Sequence, residues 1–318
     1  MDAGFPSSYR SSKKVASRLS NNLYRNGSVV MKKFEQILFL ILVFIINLSA
    51  QNEVNEIKKD TVLSFDDETI VYQKAGTGEP ALVFVHCWSC DKNYWANQID
   101  YFSKKYKVIA IDLAGHGESG IGRIDWTVEN YGKDVKAVID KEKLDSVILI
   151  GHSMGGPVVL AAAQLLGNKV KALIGIDTFQ DIEQKFTQEQ QDEFYKFFED
   201  DFVSATKEFV KELFPVNADS NLVKMIAEDM SSAPPNIALA SFRSLFKFDE
   251  AANFDKINLP VCFINSEKFP TNTEAAKRHI KSFVLKIIEG VGHFPMLEKP
   301  DEFNEVLDET IEGLVKND

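Results

Sequence analysis

The chain has 318 residues, 45 % hydrophobic and 26 % charged, enough apolar material for a sizeable core and too much for global disorder; the length suits one large α/β domain or two small ones. The net charge of −11 is unevenly spread. Residues 1–50 hold seven Lys/Arg against two Asp/Glu, so residues 51–318 carry −16, a field that repels phosphate backbones and argues against a nucleic-acid partner.

The N-terminal region reads as targeting sequence. "MKKFEQILFLILVFIINLSAQ", starting at Met31, has a basic start, an unbroken apolar run from Ile37 to Ile46, and small residues at Ser49 and Ala50. This is the pattern of a secretory signal peptide cut after Ala50, which implies a secreted or periplasmic protein. The alternative is an uncleaved anchor that tethers the chain. The apolar run ends at Leu48, well short of the ~20 residues that span a bilayer, so no stable membrane span is expected once the signal is removed. Residues 1–30 are polar, read as an upstream extension, and are left out of the fold reasoning.

From residue 60 onward the pattern is regular. "TVLSF" and "TIVYQKAG" flank the acidic turn Asp66-Asp67-Glu68, a hairpin signal. "PALVFVH" (80–86) is a continuous apolar run, as befits a strand buried on both faces. "YWANQIDYFSKKY" has helical spacing, "YKVIAIDLAGHGESG" (106–120) runs from a strand into a glycine-rich loop, and "TVENYGKDVKAVIDKEK" (127–143) is a helix with Val128, Tyr131, Val135 and Val138 on one side. A strand at 146–150 leads into a helix at 154–166, and "VKALIGID" (170–177), "LPVCFINS" (259–266) and "SFVLKII" (282–288) are further strands. Apolar strands alternating with helices predict a mostly parallel, doubly wound sheet. Residues 60–178 and 251–318 form this core. Residues 179–250 contain no convincing strand, and ten phenylalanines fall between 186 and 248; they predict a helical cap, with at least two of these rings lining an apolar pocket above the C-terminal ends of the strands.

Three cysteines, at 87, 90 and 262, do not make a disulfide framework. The Cys87-x-x-Cys90 spacing lacks the βαβ context of a thioredoxin-like redox site.

Gly151-His152-Ser153-Met154-Gly155 lies between a strand and a helix. That context forces a tight turn and sets a serine hydroxyl above the sheet, at the positive end of the helix that follows. A serine needs a base to take its proton and a third group to orient that base. Among the five histidines His293 is the candidate base, since it follows a strand in the flexible turn "GVGHF".

Four motifs in order carry a resemblance. "VFVHCWSCDKNYW", "AIDLAGHGES", "IGHSMGG" and "EGVGHFPMLEKPDEF" resemble the oxyanion strand and loop, the Asp-x-x-Gly-His-Gly-x-Ser loop, the nucleophile elbow and the histidine segment of the α/β-hydrolase fold family, over roughly residues 60–315. The resemblance implies Ser153 as nucleophile, His293 as base, and the backbone N–H groups of Trp88 and Met154 as oxyanion donors. It implies neither a metal nor an organic cofactor, and a small-molecule substrate; the aromatic cap favours a small or medium apolar ester. Oligomeric state is left open. The acid departs from the pattern, because Phe269 stands where many relatives carry aspartate. Some relatives, including a class of haloalkane dehalogenases, place the acid one strand earlier, where this chain has Asp177. Adjacent strand ends lie ~5 Å apart, so Asp177 is the first candidate and Glu267 the second; a third outcome is a site without a working acid. The resulting expectation is a serine esterase, with a C–C bond hydrolase using the same triad, or a non-catalytic ligand-binding relative, as alternatives.

Overall fold

Short apolar runs bounded by turn residues become eight strands in the computed structural model, which describes residues 56–315. The upstream extension (1–30) and the signal peptide or anchor (31–50) lie outside the described residues. The strands are β1 (Lys58–Leu63), β2 (Thr69–Ala75), β3 (Ala81–Val85), β4 (Val108–Ile111), β5 (Val147–His152), β6 (Val170–Ile176), β7 (Val261–Ser266) and β8 (Phe283–Ile288). They lie side by side in the order β1-β2-β4-β3-β5-β6-β7-β8. The hairpin β1–β2 and the β2–β4 pairing are antiparallel, and every pairing from β4 to β8 is parallel. The fold is the mostly parallel, doubly wound α/β sheet that the sequence predicts. Strands β3, β4 and β5, apolar but for His152 at the end of β5, are buried along their whole length, as a sheet covered on both faces requires.

The helices are α1 (Ala96–Phe102), α2 (Val128–Lys141), α3 (Gly155–Leu166), α4 (Gln188–Glu199), α5 (Phe202–Glu212), α6 (Ser220–Met230), α7 (Pro235–Lys247), α8 (Glu250–Phe254), α9 (Thr273–His279), α10 (Pro295–Glu298) and α11 (Pro300–Val315). Helices α2 and α3 pack so closely that a Cβ at Gly132 would stand 3.0 Å from that of Ala161. Helices α1 and α11 meet through a buried bond, Gln98 Nε2 donating to Asn304 Oδ1 at 2.9 Å. Among the described residues, no helix is long and apolar enough to cross a membrane.

Helices α4 to α8 fall between β6 and β7, where the sequence predicts an insertion. Their phenylalanines pack mainly on one another and on Trp88. The Trp88 ring meets those of Phe198, Phe202, Phe209 and Phe242 at centroid distances of 5.7, 6.0, 6.0 and 4.3 Å, and its indole N–H donates to the Ala238 carbonyl at 2.8 Å. These rings join the cap to the core, and of the four Phe209 also lines a pocket.

Below the site, the loop after β4 is fixed by buried charge. Lys92 Nζ lies 2.7 Å from Asp112 Oδ2 and 2.7 Å from Glu118 Oε2, with the Lys92 and Asp112 side chains essentially sealed from solvent. The Lys92 and Glu118 backbone N–H groups also donate to Asp112. Removing one partner of a buried pair strands the other's charge, at a cost of about 3–5 kcal/mol. Lys92→Met is therefore expected to destabilise the fold by about 3 kcal/mol in urea unfolding, and an unchanged midpoint would contradict this account of the loop.

Candidate active site

Strand β5 ends at the elbow. Ser153 has φ +51°, a left-handed conformation that costs a non-glycine residue about 1–3 kcal/mol and persists only where its surroundings enforce it. They do so here. The Ser153 N–H donates to Ile176 O at 3.0 Å, and Thr178 Oγ1 donates to Ser153 O at 2.9 Å. The turn also has no room for side chains at its flanks. A Cβ at Gly151 would stand 2.2 Å from Gly155 O, and one at Gly155 would stand 2.5 Å from Val85 O and 2.8 Å from His86 O. The second contact brings the start of α3 against the end of β3, so the elbow and the Trp88 loop are neighbours. Ser89, Asp177 and Phe179 share the left-handed backbone (φ +55°, +40° and +59°), so with Ser153 four of the six such non-glycine residues among the described residues follow the C-terminal ends of adjacent strands; Asp67 and Lys143 lie elsewhere.

Asp177 is the carboxylate that meets His293. Its Oδ2 accepts from His293 Nδ1 at 2.6 Å, and its Oδ1 accepts from the Ser266 backbone N–H at 2.8 Å. The Asp177 side chain is fully buried and that of His293 is 12 % exposed. A buried carboxylate needs such partners to stay in place. Because Nδ1 donates to Asp177, the neutral imidazole keeps its lone pair at Nε2. Asn265 braces the strand end: its Oδ1 accepts from the Thr178 N–H at 3.2 Å and its Nδ2 donates to Thr178 O at 3.1 Å.

Glu267, the second candidate, points elsewhere. Its Oε1 accepts from the Gly290 N–H at 2.7 Å, so it supports the turn leading to His293 without touching the ring. Phe269 stands edge-on to the imidazole, with centroids 6.0 Å apart.

Two residues that the sequence reading did not single out as functional hold the His293 turn. Glu298, on α10, accepts from the Gly292 N–H at 2.9 Å and the Phe294 N–H at 3.1 Å. Burial pushes its carboxyl pKa up, against those donors. His152 Nε2 donates to His293 O at 2.6 Å, with the two rings 4.8 Å apart. The pKa of His152 lies well below the usual value, first from burial and then from the neighbouring His293, so it is a neutral donor. The His293 N–H donates to Leu213 O at 2.9 Å, which ties the turn to the end of α5.

Ser153 and His293 line one open cleft of about 400 Å³ with Gln180, Phe209, Leu213 and Phe269. This corrects the expectation of two or more pocket rings from the cap: of the ten phenylalanines counted there, Phe209 lines the cleft, and Phe269 enters from the loop after β7. Trp88 N–H and Met154 N–H belong to the two loops that meet at Gly155. Cys87 and Cys90 are joined by a disulfide across the Trp88 loop, with Cα atoms 5.4 Å apart, while Cys262 is free and buried, so the cysteines supply one local bridge and no framework. The loop folds back at Ser89, which closes a distance that spacing alone does not reveal.

His86 and His116 lie beneath this loop. The Leu113 N–H donates to His86 Nε2 at 3.1 Å, so His86 Nδ1 carries the proton and donates to Cys87 O at 2.7 Å. Burial pushes His86 down to about 4 and His116 to about 3.

The family model described as alpha/beta hydrolase fold matches residues 80–300. A 3-oxoadipate enol-lactonase from Acinetobacter baylyi is 26 % identical, over 79 % of this chain and 95 % of the lactonase; a karrikin insensitive 2 receptor from Petunia hybrida is 24 % identical, over 73 % of this chain and 90 % of the receptor. The solved structure of an esterase from Exiguobacterium antarcticum superposes with a TM-score of 0.72 at 22 % identity, covering 79 % of this chain and 98 % of the esterase.

The buried imidazoles make a stability prediction. As pH falls below 6.5 an unfolded chain protonates at His86 and His116 while the folded chain does not. Stability therefore drops between pH 6.5 and 4, by up to about 1.4 kcal/mol per pH unit for each imidazole. Urea midpoints measured from pH 7 to 5 are expected to fall more steeply for the wild type than for His86→Gln/His116→Gln; equal slopes would refute the assignment.

Proposed function

The chain belongs to the alpha/beta hydrolase fold family, and from that premise we infer that it is a serine hydrolase that cleaves a small or medium, largely apolar ester through an acyl-enzyme. Ser153 Oγ attacks the ester carbonyl. His293 Nε2 takes the hydroxyl proton and later gives it to the leaving alcohol, and Asp177 holds the imidazole in that tautomer and stabilises its charged form. The N–H groups of Met154 and Trp88 receive the oxyanion, each worth roughly 3 kcal/mol in comparable sites. Water then enters on the same base and releases the acid.

The observation that carries this reading is the 2.6 Å contact of Asp177 Oδ2 with His293 Nδ1, on a residue that shares its cleft with Ser153. The lactonase and the esterase among the similar proteins support ester chemistry. The similar receptor favours a second reading, a ligand-binding relative. The setting we propose is outside the cytoplasm. The pattern of residues 31–50 supports export, and the Cys87–Cys90 disulfide is suited to an oxidising compartment.

A fluorophosphonate probe separates the two readings: labelling lost in Ser153→Ala supports the hydrolase, whereas an unlabelled folded protein favours the binder. For the acid, Asp177→Asn is expected to lower kcat on a p-nitrophenyl ester by about two orders of magnitude or more, and Glu267→Gln by less than about threefold. Equal, mild losses in the two variants would reject Asp177.

A further inference from the structure

Leu213 and Phe269 wall the Ser153 cleft, and their chain neighbours Phe214 and Lys268 wall a second groove of about 550 Å³. The two cavities thus share a partition. Lysines 207 and 211 from α5, 224 from α6 and 268 from the loop after β7 line the groove, against Glu212 and Glu228. This is a net positive lining on a chain that carries −16 over residues 51–318. Lys224 lies 3.9 Å from Glu228. The Lys268 ammonium lies 5.6 Å from the Phe269 ring centroid, and that ring stands 6.0 Å from the His293 imidazole. The two steps bound the distance from cation to base.

We propose that this groove receives the anionic end of the substrate: the ester carries an apolar stretch that fills the cleft and, beyond it, a carboxylate or phosphate drawn to Lys268 and Lys211. The proposal rests on the serine-hydrolase reading and narrows its substrate class. An anion within the cleft would lose its hydration against Phe209, Leu213 and Phe269 without a partner. At the partition it stays wet and meets a positive field focused by apolar walls. At ~1.2 Å advance per bond, the ring-to-ring and ring-to-cation steps put the Lys268 ammonium within the reach of about ten bonds from the His293 imidazole.

The test compares p-nitrophenyl hexanoate with mono-p-nitrophenyl adipate, which differs by a terminal carboxylate, and with the corresponding ω-phosphate ester. The readout is the ratio of kcat/KM for anionic over neutral ester. The ratio is expected to exceed one at low ionic strength. It should fall when salt rises from about 20 mM to about 500 mM, because exposed charges are screened, and fall by about fivefold or more in Lys211→Glu/Lys268→Glu. Whichever anionic ester is preferred identifies the group. A ratio at or below one, or one indifferent to salt and to the double variant, overturns the proposal while hexanoate turnover leaves the hydrolase reading standing. If none of the esters is cleaved, the hydrolase reading fails and this inference falls with it.

Discussion

The structure of the site turns on one hydrogen bond, Asp177 Oδ2 to His293 Nδ1. It joins the end of β6 to the turn after β8, passing over the end of β7. Parallel pairing makes this reach possible. Ile176 lies opposite Ile264, and the Asp177 N–H donates to Ile264 O, so the carboxylate emerges one residue past the ladder and leans toward β7. There Ser266 N–H takes its other oxygen. The carboxylate is held by the sheet rather than by a loop, and rigid support is what orienting an imidazole demands.

The cap bears on both halves of the site. Trp88, two residues after the His86 carbonyl that approaches the elbow, is gripped by rings from α4, α5 and α7 and by the Ala238 carbonyl. His293 is gripped by the Leu213 carbonyl at the end of α5. The phenylalanines contribute chiefly by fixing the cap on the core, through packing that buries large rings in tilted and edge-on contacts.

Much of this was legible in the sequence. The order of strands and helices followed from apolar runs and their period, and the elbow followed from glycines that leave no room for a Cβ. Asp177 could be named because the resemblance offers the end of the preceding strand as a second place for the acid, and adjacent strand ends lie close together. What was not legible depended on contacts between distant segments. His152 and Glu298 act through backbone groups of the His293 turn, and a backbone partner leaves no trace in residue types. The disulfide depended on the left-handed turn at Ser89. The role of the cap rings depended on helix orientation, since a phenylalanine facing Trp88 and one facing the cleft look alike in a linear string.

The Leu213 carbonyl is also a constraint on how such a protein can be altered. A cap exchanged with that of a related protein, or trimmed by one turn at the end of α5, would change the contents of the cleft and at the same time release the amide of His293. On the proposed mechanism, selectivity and proton transfer therefore do not vary independently in this architecture. Any recombined cap must return an acceptor to that single point, however different its walls.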